Sequence, residues 1–519
     1  MSALFGGRQT RRDFLTATTA GGIALLGAGP GARAQAPKKG GRLRIALEGG
    51  STTDDLDPAK FSEIYMQVVG FGLRNNLTEI SSENQVVPEV AESWEPSPDA
   101  KTWTFKLRRG VQFHSGKTLD SNDVRATFNY HRGANSHSMA RGLLAGIEDI
   151  KTIDPLTVRF QLKAGNADFP ALITDYHLGI MPAKEDTVEW RSGDGTGGYK
   201  VASWTPGVRM LMARNPNYFK SGAAFFDEIE LVTTQSVTAR QSALMTGDID
   251  VIDRIDLKTI DLFKRNPNVV IENVQGRLFY TLDMNSTFEP FGDNNVRLAL
   301  KHGIDRKALL DKILFGYGSL GNDQPLSAAY PYYDKDLPQR QYDPDKARYY
   351  LKQAGKSSVS VDLSTSERSW NGAVDAAVLF RETAAPIGIN INVIREPADG
   401  YSTNVYGKKP FVVTYITGRP TEDGVLSLAF ITGGGANTAR VSIPRLDDLV
   451  TRARAELDTG KRREYYYAAQ RIINEEHGFI IPLFANYVFG RSKKLAHKGA
   501  LSSDRSLDGA KLVERWWFA

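Results

Sequence analysis

His131 and His137 stand six residues apart, which misses the one-turn spacing that sets two imidazoles on one helix face for a metal. The other histidines are scattered singly. Cysteine is absent, which excludes thiol nucleophiles, thiolate metal sites, disulfides and a lipid-modified cysteine. The run from Gly193 to Lys200 has the glycine content of a phosphate cradle. It lacks Lys-Ser or Lys-Thr at its end, however, and leads into the strand-like Tyr199 to Trp204 rather than a helix, so a turn is expected. No Gly-x-Ser-x-Gly elbow occurs, and no carboxylate pair stands out from the 60 acids. Tyr465, Tyr466 and Tyr467 would point three ways from a helix. The chain displays no nucleophile-base-orienter set, so catalysis, a metal and a cofactor are not expected.

The elements around these residues alternate in type. Leu43, Ile45 and Leu47 alternate with Arg42 and Arg44, the mark of a half-buried strand. Trp103, Phe105 and Leu107 repeat that period, as do Val158, Phe160 and Leu162. Ser121 is expected to cap a helix through Tyr130. In the second half, a strand at 359–363, a helix at 372–386 and a strand at 389–394 read as a parallel crossover unit. Asp343-Pro344-Asp345 starts a helix that Gly355 ends. Helices are expected at 447–456 and 461–476, and strands at 412–416 and 479–484. No fixed-period repeat is visible.

At the N-terminus, Thr10-Arg11-Arg12-Asp13-Phe14-Leu15 precedes a short apolar run rich in glycine and alanine. This resembles a twin-arginine export signal over residues 1–36. Small-residue sites at Ala32 to Ala34 and Ala34 to Ala36 place cleavage near Gln35 or Pro37. The run is too short for a membrane span, and no later stretch qualifies. A length of 519 residues implies two or three domains. Formal charge is +5, and it falls to about +2 once the leader's four arginines and one aspartate are gone. The remaining cations are dispersed among acids, which argues against a nucleic-acid partner.

The stretch from Asn84-Gln85-Val86-Val87-Pro88-Glu89 through Trp94, Trp103 to Arg108, and Gly110-Val111-Gln112-Phe113-His114-Ser115-Gly116 resembles the family-5 extracellular solute-binding proteins. These are peptide receptors of ABC importers. The likeness continues through Asn215-Pro216-Asn217-Tyr218, Leu244 to Asp250, Val296 to Leu300, Ile304-Asp305-Arg306 and Tyr342-Asp343-Pro344. It implies a two-lobe α/β periplasmic binding-protein fold with the ligand between the lobes. Lobe one would be 37–281 plus 492–519, with an inserted subdomain near 76–186. Lobe two would be 282–491. Leu278 to Asn285 and Asn486 to Ser492 would cross between them. The implied function is capture of a peptide or peptide-like solute for an inner-membrane ABC permease and its ATPase. The implied state is a soluble periplasmic monomer without a lipid anchor. Relatives that bind opines, sugars, haem or metal chelates keep a non-peptide solute open, and an exported hydrolase is the rival from another class.

The resemblance also implies a site. Arg368, Trp370 and Asn371 match a motif that meets a ligand carboxylate: a guanidinium fork beside an indole wall. An acid after the next strand would hold the ligand's amino group, and Glu422 or Asp423 fills that place loosely. Arg419 adds a second cation, which favours a ligand with more than one carboxylate. Leu56 and Asp57 would line the lobe-one side.

Overall fold

A computed structural model describes residues 37–185 and 187–519. The twin-arginine segment expected at 1–36 lies outside the described residues. Among these residues no helix is long and apolar enough to cross a membrane.

The main sheet has eleven strands. In one half, Arg42–Leu47 lies between Glu228–Thr233 and Val251–Ile252, parallel to both. In the other half, Val359–Thr365 lies parallel to both Ile389–Arg395 and Phe411–Ile416. Two long strands join the halves. Val269–Met284 and Phe479–Ser492 run antiparallel side by side. Residues 269–275 pair with 486–492 in the first half. Residues 279–284 pair with 479–484 in the second half, and the ladder breaks between Gln275 and Phe279. The apolar run expected at 479–484 and the crossing expected at 486–492 are therefore one strand. The other long strand begins at Val269, upstream of the expected Leu278.

A separate four-stranded sheet, ordered Ala91–Pro96, Thr102–Leu107, Thr157–Leu162 and Ile147–Asp154, has its own core of Phe105, Phe128, Phe160 and Phe169. The helix Ser121–Arg132 packs on it. Its cap is Asp120, not Ser121. Asp120 accepts from the Asn122 and Asp123 N–H groups, and Asp123 reaches back to the Asp120 N–H, a full capping box. Ser121 is the first helical residue, and its hydroxyl donates to the Asp154 carbonyl at 2.6 Å. The glycine-rich run is the expected turn. A Cβ on Gly195 or Gly197 would meet backbone oxygens at 2.2 and 2.3 Å, so only glycine permits this approach to residues 72 and 73.

Helices Pro344–Gln353 and Ala373–Ala384 cover the second half, with Asp343 capping the first of them. Pro444–Ala455 starts three residues before the expected Asp447, with proline in its first turn. Thr459–Glu476 carries the three tyrosines, of which Tyr466 is fully buried.

The C-terminal segment returns to the first half. Trp516 is fully buried in the core with Leu43, Phe226, Phe489 and Val513. Glu79, Glu89 and Glu514 also meet there, close enough to suggest a metal. The Lys220 ammonium donates to all three at 2.7 to 2.8 Å, and Lys511 donates to Glu79 and Glu89 at 2.6 Å. The cluster is an ion-pair staple that ties residues 511 and 514 to residues 79, 89 and 220. Trp516→Ala is expected to lower unfolding stability by about 3–5 kcal/mol in urea titrations. A loss under about 1 kcal/mol would mean the tail does not belong to that core.

Candidate functional site

Strand direction places the site. Val251–Ile252 runs antiparallel to Phe479–Ser492, as does Val269–Met284, so Val251–Ile252 and its parallel neighbour Arg42–Leu47 point toward the second half. Phe411–Ile416 runs antiparallel to Val269–Met284, so it and its parallel neighbours point back toward the first half. The carboxyl ends of both strand sets therefore face each other. Open α/β sheets bind ligands at such ends.

Residues 366–371 and 417–419 occupy the carboxyl ends on the second half. Arg368 is exposed and has no acidic partner among the described residues. Asn371 is exposed beside it. Arg419 is half-buried, and its guanidinium donates to the Thr417 hydroxyl at 2.8 Å and to the Thr417 and Gly418 carbonyls at 3.3 Å. Its loop is fixed by Tyr330, whose hydroxyl bonds both the N–H and the carbonyl of Arg419. Neither guanidinium is paired with a carboxylate; Glu367, exposed in the same loop as Arg368, accepts instead from the Gly372 N–H at 2.8 Å. Trp370 is 9 % exposed and stacks on Tyr280 with ring centroids 4.1 Å apart. Its indole borders a small void with Leu282, Leu309 and Val413 and belongs to the second half's hydrophobic core.

The two acids turn away from the rim. Asp423 pairs with Arg454 at 3.0 Å and accepts from the Ser427 hydroxyl at 2.9 Å. Glu422 is 3 % exposed and accepts from the Tyr332 N–H at 2.9 Å. Burial pushes it up to about 7, with the nearby Asp168 carboxylate adding to the rise. Leu56 is buried in the first half's core. Asp57 is 5 % exposed and is used internally: it accepts from the Ala59 N–H at 3.0 Å and the Tyr130 hydroxyl at 2.9 Å.

Asp168 explains where the acids went. It sits at the edge of the four-stranded subdomain and pairs with Arg462 of the Thr459–Glu476 helix. The Arg462 guanidinium lies over the Tyr332 and Tyr466 rings at 5.3 and 5.5 Å. Beside it, the Ala167 N–H donates to the Arg454 carbonyl at 2.7 Å. Subdomain and second half are thus clasped by a buried cluster of Asp168, Glu422, Asp423, Arg454 and Arg462.

Two groups absent from the expected site stand opposite. Glu48 directly follows Arg42–Leu47, and Arg254 follows Val251–Ile252, paired at 2.9 Å. A position immediately after a strand was the available signal, but strand direction was not readable.

A family model described as bacterial extracellular solute-binding proteins, family 5, middle, matches residues 85–438. The chain is 26 % identical over 478 residues to the glutathione-binding protein GsiB of Escherichia coli, covering 87 % of this chain and 91 % of the relative. Among solved structures, HbpA2 from Haemophilus parasuis superposes with TM-score 0.81 at 21 % identity, covering 90 % of this chain and 99 % of that one. The periplasmic binding protein DppA from Helicobacter pylori, in complex with the peptide STSA, gives 0.71 at 22 %, covering 92 % and 99 %.

Removing one partner from a buried ion pair costs about 3–5 kcal/mol. Arg462→Met is therefore expected to release the clasp and raise the radius of gyration in small-angle scattering; an unchanged radius would show that the clasp does not hold the halves together. Burial also pushes Asp283 up to about 7. For Glu422 and Asp283, with ordinary values of 4.5 and 3.8, the folded protein holds protons that the unfolded chain releases. Their stabilising contribution is present at acid pH and lost as pH rises through about 7. The urea midpoint should be higher at pH 5.5 than at pH 8. Glu422→Gln should flatten part of that slope and Asp283→Asn a further part; an unaltered slope in both variants contradicts the assignment.

Proposed function

Because the chain belongs to family 5 of the bacterial extracellular solute-binding proteins, we propose that it captures a peptide or peptide-like solute and delivers it to an ABC permease and its ATPase. It works as a soluble monomer in the periplasm, without a lipid anchor, after export through its twin-arginine signal. It carries out no chemistry on the solute.

The observation that carries this reading is the pair of guanidiniums, Arg368 and Arg419, on strand ends that face the opposite half. Two cations that are not paired with an acid suit a solute with two carboxylates, such as an acidic peptide or an amino-acid conjugate. Glutathione, the ligand named for a relative at 26 % identity, has two carboxylates and joins short acidic peptides as a first probe. Glu422 and Asp423, already engaged elsewhere, are poor holders of the solute's amino group in this state.

We place the division between the lobes at the ladder break, between Gln275 and Phe279 on one strand and Phe484 and Asn486 on the other, near the expected divisions at 281/282 and 491/492, with the subdomain near 76–186 inserted in lobe one. The ladder break between Gln275 and Phe279 is the hinge. Closing on it buries the solute, so each polar group of the solute needs a fixed partner.

Native mass spectrometry of protein taken from its own periplasm tests the class directly. A retained peptide mass supports the reading, and a retained sugar, opine or chelate mass overturns the peptide part alone. Bound at 100 times its dissociation constant, the solute should add about 2.7 kcal/mol to stability. Arg368→Ala and Arg419→Ala should each weaken a dicarboxylate solute about tenfold or more. Affinity unchanged in both would sink the two-carboxylate assignment.

A further inference from the structure

Glu48 and Arg254 pair at 2.9 Å on the lobe-one rim, yet they are held differently. Glu48 is fixed. Its other carboxylate oxygen meets Arg240 at 3.3 Å. Arg240 is fully buried, anchored on the Thr234 and Gln235 carbonyls at 2.6 and 3.0 Å and against Asp253 at 3.0 Å. Arg254 is loose, with 67 % of its side chain exposed. The charges of Glu48, Asp253, Arg240 and Arg254 cancel. Burial pushes the Tyr280 hydroxyl up to about 12, and the charge of Arg254 opposes the rise. Tyr280 is the ring on which Trp370 stacks, two residues beyond Arg368.

We propose that the Glu48–Arg254 pair seats an amino-acid head of the solute, an ammonium and a carboxylate on one carbon. The ammonium takes the place of Arg254 on Glu48, and Arg254 turns to the carboxylate. One ion pair becomes two, and no net charge enters the cleft, which avoids burying an unpaired ion. Arg240 keeps Glu48 in place during the exchange, so the acceptor is preorganised. The solute's remaining carboxylate is left for Arg368 or Arg419. A peptide linked through a side-chain carboxylate keeps such a head free. An ordinary α-linked peptide separates its terminal ammonium from its terminal carboxylate and satisfies half of the pair.

This inference rests on the solute-receptor reading, and a matched pair of ligands separates the two. The dipeptides γ-Glu-Leu and α-Glu-Leu have the same atoms and charges and differ in linkage. In isothermal titration the wild type should bind the γ-linked isomer at least about tenfold tighter. Glu48→Gln and Arg254→Met should each weaken γ-Glu-Leu more than α-Glu-Leu and so bring the preference down to about twofold or less. Unchanged thermal melting of both variants would confirm that the fold is intact. A wild type that binds the α-linked isomer equally well or better overturns the amino-acid seat and leaves the receptor reading standing. So does a γ preference that survives both substitutions. A wild type that binds neither these isomers nor any longer peptide overturns both.

Discussion

The antiparallel pairing of Val269–Met284 with Phe479–Ser492 is the constraint on which the rest of the molecule depends. Both strands belong to both lobes. Their hydrogen bonds fix the direction of every strand added outward from them, on either side. That direction brings the carboxyl ends of two parallel sets together, so the rims carrying Glu48 and Arg254 on one side and Arg368 and Arg419 on the other are consequences of one ladder. The ladder is interrupted only briefly, between Gln275 and Phe279, opposite Phe484 to Asn486. Ordered pairing flanks a short weak point, which is the layout of a hinge with defined end positions.

Charge is partitioned along the same lines. Acids and arginines away from the cleft are spent on holding pieces together: Asp168 with Arg462, Asp423 with Arg454, and Arg277 with Asp504 at 3.1 Å beside the hinge. Arginines at the rims are left exposed, bonded within their own loop, or paired with a single acid. A buried ion pair adds little net stability, because desolvation offsets attraction, but losing either partner is costly. Such pairs serve to fix which surfaces meet. Exposed guanidiniums keep their hydration until a carboxylate arrives.

Much of the fold was legible in the residues. Alternation marked the strands at 42–47, 102–107 and 157–162, and the cap, proline and glycine signals bounded the helix Pro344–Gln353. Misses occurred where two local signals competed. Asp120 and Ser121 both suit a helix cap, and Asp123 decided for Asp120 by completing a capping box. The long strand Phe479–Ser492 is buried on both faces over 479–484 and again over 488–490, with half-buried residues 485–487 between them, so it shows no alternation and reads as two pieces. The site was harder to read. Arg368 and Arg419 stand out as cations after strands. That Glu422 and Asp423 are withdrawn from the rim depends on Asp168, Arg454 and Arg462, brought in from far along the chain. No local pattern encodes that meeting.

The return of the C-terminal segment to lobe one has a consequence for synthesis. The strand Arg42–Leu47 emerges from the ribosome early, but its core is completed by Val513 and Trp516. Its sheet also waits for Phe479–Ser492. The four-stranded subdomain draws mainly on residues 77–180 and can fold while the chain is still growing, whereas lobe two also waits for Ile480 and Leu483. Lobe one cannot close until residues 513–516 have been added, and its early apolar strands stay uncovered for most of that time. Contacts so distant in sequence are slow to form. The nascent chain is therefore most exposed to aggregation in the interval before residues 513–516 dock, and that interval is set by the order of the chain rather than by the strength of any contact.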